Sequence, residues 1–177
     1  NALEKIKGMF SFALWDEKKQ ELLAARDPFG IKPFYYYKDK NFFYFASEIK
    51  AFFAAGIKIK PNYKKIHEFL RWGVLDYDDS TWFENIYSLK PGHYIKLNKT
   101  KFLIKRYYYL PKKIIGKKEF DFNSAKKEFS KLIAESVKKH CRSDRSIGVH
   151  LSGGVEVYIR RIAHPTKLQC TGSSARK

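Results

Sequence analysis

Cysteine is scarce in this sequence: Cys141 and Cys170 stand alone. Two isolated thiols cannot build a disulfide framework, and no Cys/His cluster has the spacing of a zinc site. A reducing, cytoplasmic setting fits that usage. Apolar runs of about 18 residues, the length a membrane-spanning helix needs, are missing too. No signal sequence is visible, and the chain opens on Asn1 rather than on a start methionine, so it reads as a fragment. Acidic residues are outnumbered, 18 Asp and Glu against 36 Lys and Arg, for a net charge of +18.

That imbalance is steepest over residues 99–145, with 15 basic side chains against 5 acidic ones. Such an excess can attract nucleic acid or another anionic surface. The lysines, however, are spread through turns and solvent faces without the spacing of a zinc finger or an RNA-binding sheet. A solvated basic surface is the plainer reading, and no dedicated nucleic-acid partner is expected. Residues to fill a core are plentiful, at 44% hydrophobic and 17% aromatic in 177 residues.

The chain is organised around residues 25–37. Pro28 and Pro33 fix φ and withhold an N–H, and Gly30 allows a turn closed to other residues. A stiff connector between two extended runs follows from that chemistry. Before it, Phe10, Phe12 and Leu14 alternate with Met9, Ser11, Ala13 and Trp15, as in a half-buried strand. A charged turn over residues 16–20 leads to a second strand over 21–26. After the connector, 34–37 and 42–46 flank a polar turn and predict a hairpin. Ser47 is placed to cap a helix over 48–55, with Ile49, Phe52 and Phe53 on one face and Gly56 at its exit.

Further on, Asn62 starts a helix over 63–72 with Ile66, Phe69 and Leu70 as its stripe, and Gly73 ends it. His67 reads as structural and His93 as a turn residue. Asp76, Asp78 and Asp79 are closely spaced, but without the glycine and distal glutamate of a calcium loop they do not make a metal site. Residues 94–97 and 102–109 predict another strand pair around a polar turn that contains Asn98-Lys99-Thr100. Proline, glycine and like charge over 111–118 are linker chemistry. Ser124 then caps a helix to about residue 140, with Phe129, Leu132, Ile133 and Val137 on its buried stripe. An apolar strand from Ile147 runs into Leu151-Ser152-Gly153-Gly154, whose backbone N–H groups can approach an anion closely.

Residues 8–16, 25–36 and 45–51, with Leu89-Lys90-Pro91-Gly92-His93-Tyr94 and Tyr107-Tyr108-Tyr109-Leu110-Pro111, resemble the class II glutamine amidotransferase domain of glutamine-hydrolysing asparagine synthetases. The likeness extends over roughly the first 155 residues. It implies an α+β fold: a partial αββα sandwich of the N-terminal-nucleophile amidotransferase type, followed by the first helix and strand of an α/β ATP pyrophosphatase-like domain. It divides the chain into the later part of the amidotransferase domain at 1–110, a linker at 111–123, the start of the synthetase domain at 124–157, and a tail without family likeness at 158–177.

By the same resemblance, Leu151, Ser152, Gly153 and Gly154 belong to the pyrophosphate loop that holds ATP. The intact parent would take glutamine, aspartate, ATP and Mg2+, as a cytoplasmic enzyme, with a homodimer left open. The likeness breaks after this loop. The family continues Ser-Gly-Gly-x-Asp-Ser, whereas this chain has Glu156 and Val157. The glutaminase half of the chemistry is also lacking. In the family an N-terminal cysteine attacks glutamine, its α-amino group acts as base, and an Asn-Gly pair stabilises the oxyanion. Here Asn1-Ala2 offers no thiol and no Asn-Gly occurs. No catalytic, glutamine-binding or metal-binding residue is therefore assigned, and the chain alone is expected to be inactive. The 26–33 connector also resembles that of amidophosphoribosyltransferases, but Ser152-Gly153-Gly154 after the linker favours the ATP-loop branch. Two alternatives stay open: an amidotransferase for another acceptor and a non-catalytic basic binding remnant.

Overall fold

The computed structural model describes residues 2–75, 77–110, 121–142, 144, 147–148 and 168–169. The chain divides into two compact units, Asn1–Pro111 and Lys112–Lys177. In the first, helix α1 (Ala2–Lys5) precedes strands β1 (Ser11–Asp16), β2 (Glu21–Arg26), β3 (Tyr35–Lys38) and β4 (Phe43–Ala46). Helices α2 (Lys50–Ala54) and α3 (Tyr63–Trp72) follow, then β5 (Ile86–Ser88), β6 (His93–Leu97) and β7 (Phe102–Arg106).

The strands form two antiparallel sheets, one ordered β1-β2-β6-β7 and the other β4-β3-β5. Strand alternation decides which residues lie between them. Ala13, Ala24, Ile95 and Ile104 are in register across the first sheet, and they meet Phe34, Tyr36 and Leu89 from the second in one buried cluster. Aromatic rings knit the two layers: Tyr36 and Phe43 both approach Phe102, with centroids 6.2 and 5.9 Å apart. On the other face of the first sheet, Phe12, Ala25 and Tyr94 line up, and Leu3 of α1 packs there with Tyr107. The expected mixed α and β fold with layered sheets is thus present in this unit.

Several local expectations need correction. Ser47 does not cap α2, which opens at Ile49 without a side-chain cap. Its first turn is closed by backbone bonds, from Ala51 N–H to the Glu48 carbonyl and from Phe52 N–H to the Ile49 carbonyl. Phe52 is buried, but Phe53 is half exposed, its ring edge-on to Phe83. In α3, Asn62 and Gly73 cap the ends as expected, yet Leu70 faces solvent and the most buried residue is Lys65. Strand β5 escaped the sequence reading because it is only three residues long and follows Asn85, whose φ is 63°.

In the second unit, helix α4 (Phe122–His140) begins at Asp121, whose carboxylate accepts the Ser124 N–H at 2.8 Å. Ser124 is therefore inside the first turn, not its cap. The Ser124 side chain first, and then its N–H, hold the Asp121 carboxyl below its usual range. Val137 and Cys141, four residues apart, are buried, while Phe129 and Leu132 are exposed. Strands β8 (Ile147–Gly148) and β9 (Leu168–Gln169) pair in parallel. Among the described residues no helix is long and apolar enough to cross a membrane.

Candidate functional site

The connector after β2 is a knot rather than a plain turn. The fully buried Asp27 carboxylate accepts three backbone N–H groups, from Phe29 at 3.1 Å, Ile31 at 3.1 Å and Lys32 at 2.9 Å. Its own carbonyl accepts from Gly30 at 3.1 Å and from Gly92, on the turn before β6, at 2.9 Å. The Gly92 carbonyl in turn accepts from Tyr107 at 2.8 Å. A buried carboxylate is tolerable only when its lone pairs are met, and here the loop's own amides meet them.

Arg26 ties this loop to the other sheet. Its Nε donates to the Lys32 carbonyl and its Nη2 to the Gly30 carbonyl, both at 2.7 Å. Its Nη1 donates to Ser88 Oγ at 2.9 Å and to the Leu89 carbonyl at 2.7 Å, at the end of β5. One planar guanidinium thus joins the end of β2 to the start of β3 and the end of β5. The two glycines are required by the crowding. Gly30, at φ 68°, would place a Cβ 2.7 Å from Pro91 Cγ, and Gly92, at φ 66°, would place one 3.1 Å from Tyr108 Cβ. Tyr107 closes the knot by donating its hydroxyl to the Arg26 carbonyl. Burial first, and then the charge of Asp27, push that phenol up to about 12.

Beside the knot lies a cleft of about 410 Å³. Arg26, Gly30, Tyr35 and Pro91 form one side, and Lys65, Asp78, Ser80 and Thr81 the other. Lys65 Nζ, almost wholly buried, sits 2.6 Å from Asp78 Oδ1 and 3.6 Å from the centroid of the Tyr77 ring. Burial opposes the Asp78 charge, but hydrogen bonds from Lys65 and Ser80 outweigh it and hold its carboxyl below the usual range. Tyr77 hydroxyl donates to Glu68, a bond that pushes the phenol up to about 12. The sequence reading missed this pair. The signal was a lysine on the inner side of an amphipathic helix, with a carboxylate in the loop after it.

The hydroxyls here are engaged: Ser80 donates to Asp78 and Thr81 to the Ile86 carbonyl. Neither His67 nor His93 lines the cleft, and His93 Nδ1 lies 2.8 Å from the Pro91 carbonyl in its own turn. Asp79 pairs with Lys90. Among the described residues no group of three metal-ligating side chains assembles. Among the described residues the geometry shapes and braces a binding surface, and the one hydroxyl–carboxylate contact in the cleft, Ser80 to Asp78, falls on a carboxylate oxygen already paired with Lys65. The candidate ATP loop, Leu151, Ser152, Gly153 and Gly154, lies outside the described residues, as do Glu156 and Val157.

Comparison with known proteins places these features in context. Residues 1–108 match the family described as glutamine amidotransferase domain. The chain is 32% identical over 158 residues to asparagine synthetase [glutamine-hydrolyzing] 3 of Bacillus subtilis, covering 88% of this chain and 25% of the relative. It is 34% identical over 163 residues to the putative asparagine synthetase [glutamine-hydrolyzing] 2 of Methanocaldococcus jannaschii, covering 88% and 30%. It is also 31% identical over 159 residues to the amidase chry2 of Gibberella zeae, covering 87% and 23%. The chain therefore spans between a quarter and a third of the synthetases and slightly less of the amidase.

Proposed function

Because this chain belongs to the glutamine amidotransferase domain family, we propose that it is the later, bracing part of that domain in a glutamine-dependent asparagine synthetase. The parent protein would take ammonia from the amide of glutamine and deliver it to aspartate activated by ATP. The choice of synthetase rests on the resemblance of Leu151, Ser152, Gly153 and Gly154 to an ATP loop, and the reach of the alignments, shared by the amidase over 159 residues, supports a second domain after the first. The alignments to the asparagine synthetases run over 158 and 163 residues, beyond the 108 that the amidotransferase domain accounts for. The likeness thus continues into the second unit, where the synthetase start is expected.

Within this reading the knot at Arg26 and Asp27 has a mechanical task. It fixes one end of the two sheets against each other, so that groups carried on neighbouring strands keep their geometry. ATP, with Mg2+, is assigned to the loop of Leu151, Ser152, Gly153 and Gly154 by resemblance, and its role there is to activate the acceptor carboxylate.

The test uses the product of the whole parent coding sequence, supplied with amide-labelled glutamine, aspartate, ATP and Mg2+. Label in asparagine, with glutamate formed alongside, is the expected result. Glutamine consumption without asparagine would move the reading to another acceptor, the possibility raised by the amidase relative. No glutamine consumption at all would overturn amide transfer.

A further inference from the structure

The end of the sandwich away from the knot carries a second cleft, of about 380 Å³, which the amidotransferase reading does not use. It opens where the β1–β2, β3–β4 and β6–β7 turns come together. Its floor is aromatic, with Phe43 and Phe102 5.9 Å apart. Two of the turns are stiffened by their own side chains. Asp39 Oδ1 accepts from Asn41 and Phe42 N–H at 2.8 and 2.7 Å, and Asn98 Oδ1 accepts from Thr100 and Lys101 N–H at 3.1 and 2.8 Å.

Lys38, Lys40, Lys99 and Lys101 line this cleft, and Asp39 is its one carboxylate. Lys38 lies 5.5 Å over the Phe102 ring, while Lys40, Lys99 and Lys101 make no ion pair among the described residues. Four gathered cations with one acid focus a positive potential into a concave site. Two large rings, Trp15 and Phe42, also line it and are 53% and 60% exposed, although a core would readily have taken them.

Unneutralised cations together with exposed rings match one ligand chemistry, a flat ring carrying several negative charges. We propose that this cleft is a nucleotide-binding site, with the base against Trp15 or Phe42 and the phosphates among the lysines. The cavity falls in the range of about 300–1,000 Å³ usual for small-molecule sites. Its lining comes from three neighbouring turns and their strand ends, a local site of single-nucleotide size. The site stands on these residues alone and does not rest on the amidotransferase reading.

The test titrates the full chain with ATP, adenosine, inorganic tripolyphosphate and a series of single-stranded oligonucleotides, by equilibrium dialysis and tryptophan emission. Saturable ATP binding is expected, tighter than that of adenosine or tripolyphosphate. Trp15→Phe should remove most of the emission change, leaving Trp72 and Trp82 as silent reporters. Lys40→Glu and Lys101→Glu, both on exposed turns, should each weaken ATP by about tenfold. Lys40→Gln and Lys101→Gln should give smaller losses with an unchanged melting curve. Equal affinity for tripolyphosphate would overturn the proposal by leaving no role for the rings. A Lys40→Glu, Lys101→Glu double variant that keeps both the parent ATP affinity and the Trp15 emission change would overturn it by placing the nucleotide elsewhere. Affinity that climbs with oligonucleotide length would replace it with a nucleic-acid surface.

Discussion

The hydroxyl of Tyr107 donates to the carbonyl oxygen of Arg26 at 2.8 Å, across 81 residues of chain. Since Tyr107 N–H also donates to Gly92, and Gly92 N–H to Asp27, one tyrosine pins three segments that are distant in sequence. The stiffness of the connector is therefore only half local. Prolines and a glycine shape it, and a phenol from the far end of the unit holds it shut.

Replacing that phenol is the simplest probe. Tyr107→Phe keeps the ring among Leu3 and Ala25 and removes one hydrogen bond, so it is expected to cost about 1 kcal/mol. A denaturant melt should show a lower midpoint with an unchanged slope. An unchanged midpoint would mean that the hydroxyl contributes nothing net.

High pH should act on the same group. In the folded chain the Tyr107 and Tyr36 phenols are pushed up to about 12 from 10.0, in both cases chiefly by burial, with Asp27 adding to Tyr107 and Asp79 and Tyr87 to Tyr36. The unfolded chain therefore loses these protons first. Their contribution is complete below pH 10.0 and falls away as pH rises through about 12. Melting temperatures measured across that window should drop, and less steeply for Tyr107→Phe than for the parent chain.

Two glycines separate strain from collision. Gly56→Ala places a methyl in open space at φ 75°, so it bears the left-handed backbone cost alone, about 1 kcal/mol. Gly30→Ala has a similar φ, 68°, and meets Pro91 Cγ at 2.7 Å and Arg26 Cζ at 3.2 Å. Overpacking adds its own penalty, for a total of about 2–4 kcal/mol. Equal losses at the two positions would show that the loop yields without disturbing Arg26.

Asp27→Ala removes the acceptor for three buried backbone N–H groups at once and is expected to cost about 4 kcal/mol. Asp27→Asn keeps one acceptor oxygen and should cost less. Hydrogen exchange localises the damage: Phe29, Ile31 and Lys32 amides should lose protection before the strand centres at Ala24 and Ile95. Uniform loss of protection would mean that the loop does not open separately from the sheets.

How much of this is legible in the sequence depends on range. The alternation of Phe12 and Ala13, the shape of the 28–33 loop and the Asn62 and Gly73 caps follow from local sterics, and local residues announce them. What escapes is set by partners far away. Nothing near Arg26 says that its guanidinium ends on Ser88 and Leu89, 62 and 63 residues on. Two helix starts differ from expectation by small offsets, because the Asp121 carboxylate takes the Ser124 N–H and so becomes the cap itself, and because α2 closes its first turn with backbone alone. Lysines are read as solvent-facing by default, which hides Lys65.

That buried lysine supports the last prediction, an asymmetry between partners. Asp78 is 36% exposed at its side chain, so Lys65→Met leaves it a carboxylate that water can reach, and the loss should be about 1 kcal/mol. Asp78→Ala instead strands an ammonium whose side chain is 4% exposed, with the Tyr77 ring as the nearest compensation. Breaking a pair from that side is expected to cost about 3 kcal/mol. Acid should reproduce the second case. The Asp78 carboxyl is held below 3.8 in the folded chain, so the contribution is present above that value and disappears as pH falls through the lower folded one. Acid melts should therefore fall more steeply for the parent chain than for Lys65→Met. Equal costs for the two substitutions, together with parallel acid melts, would show that Lys65 is held by packing and the Tyr77 ring rather than by Asp78.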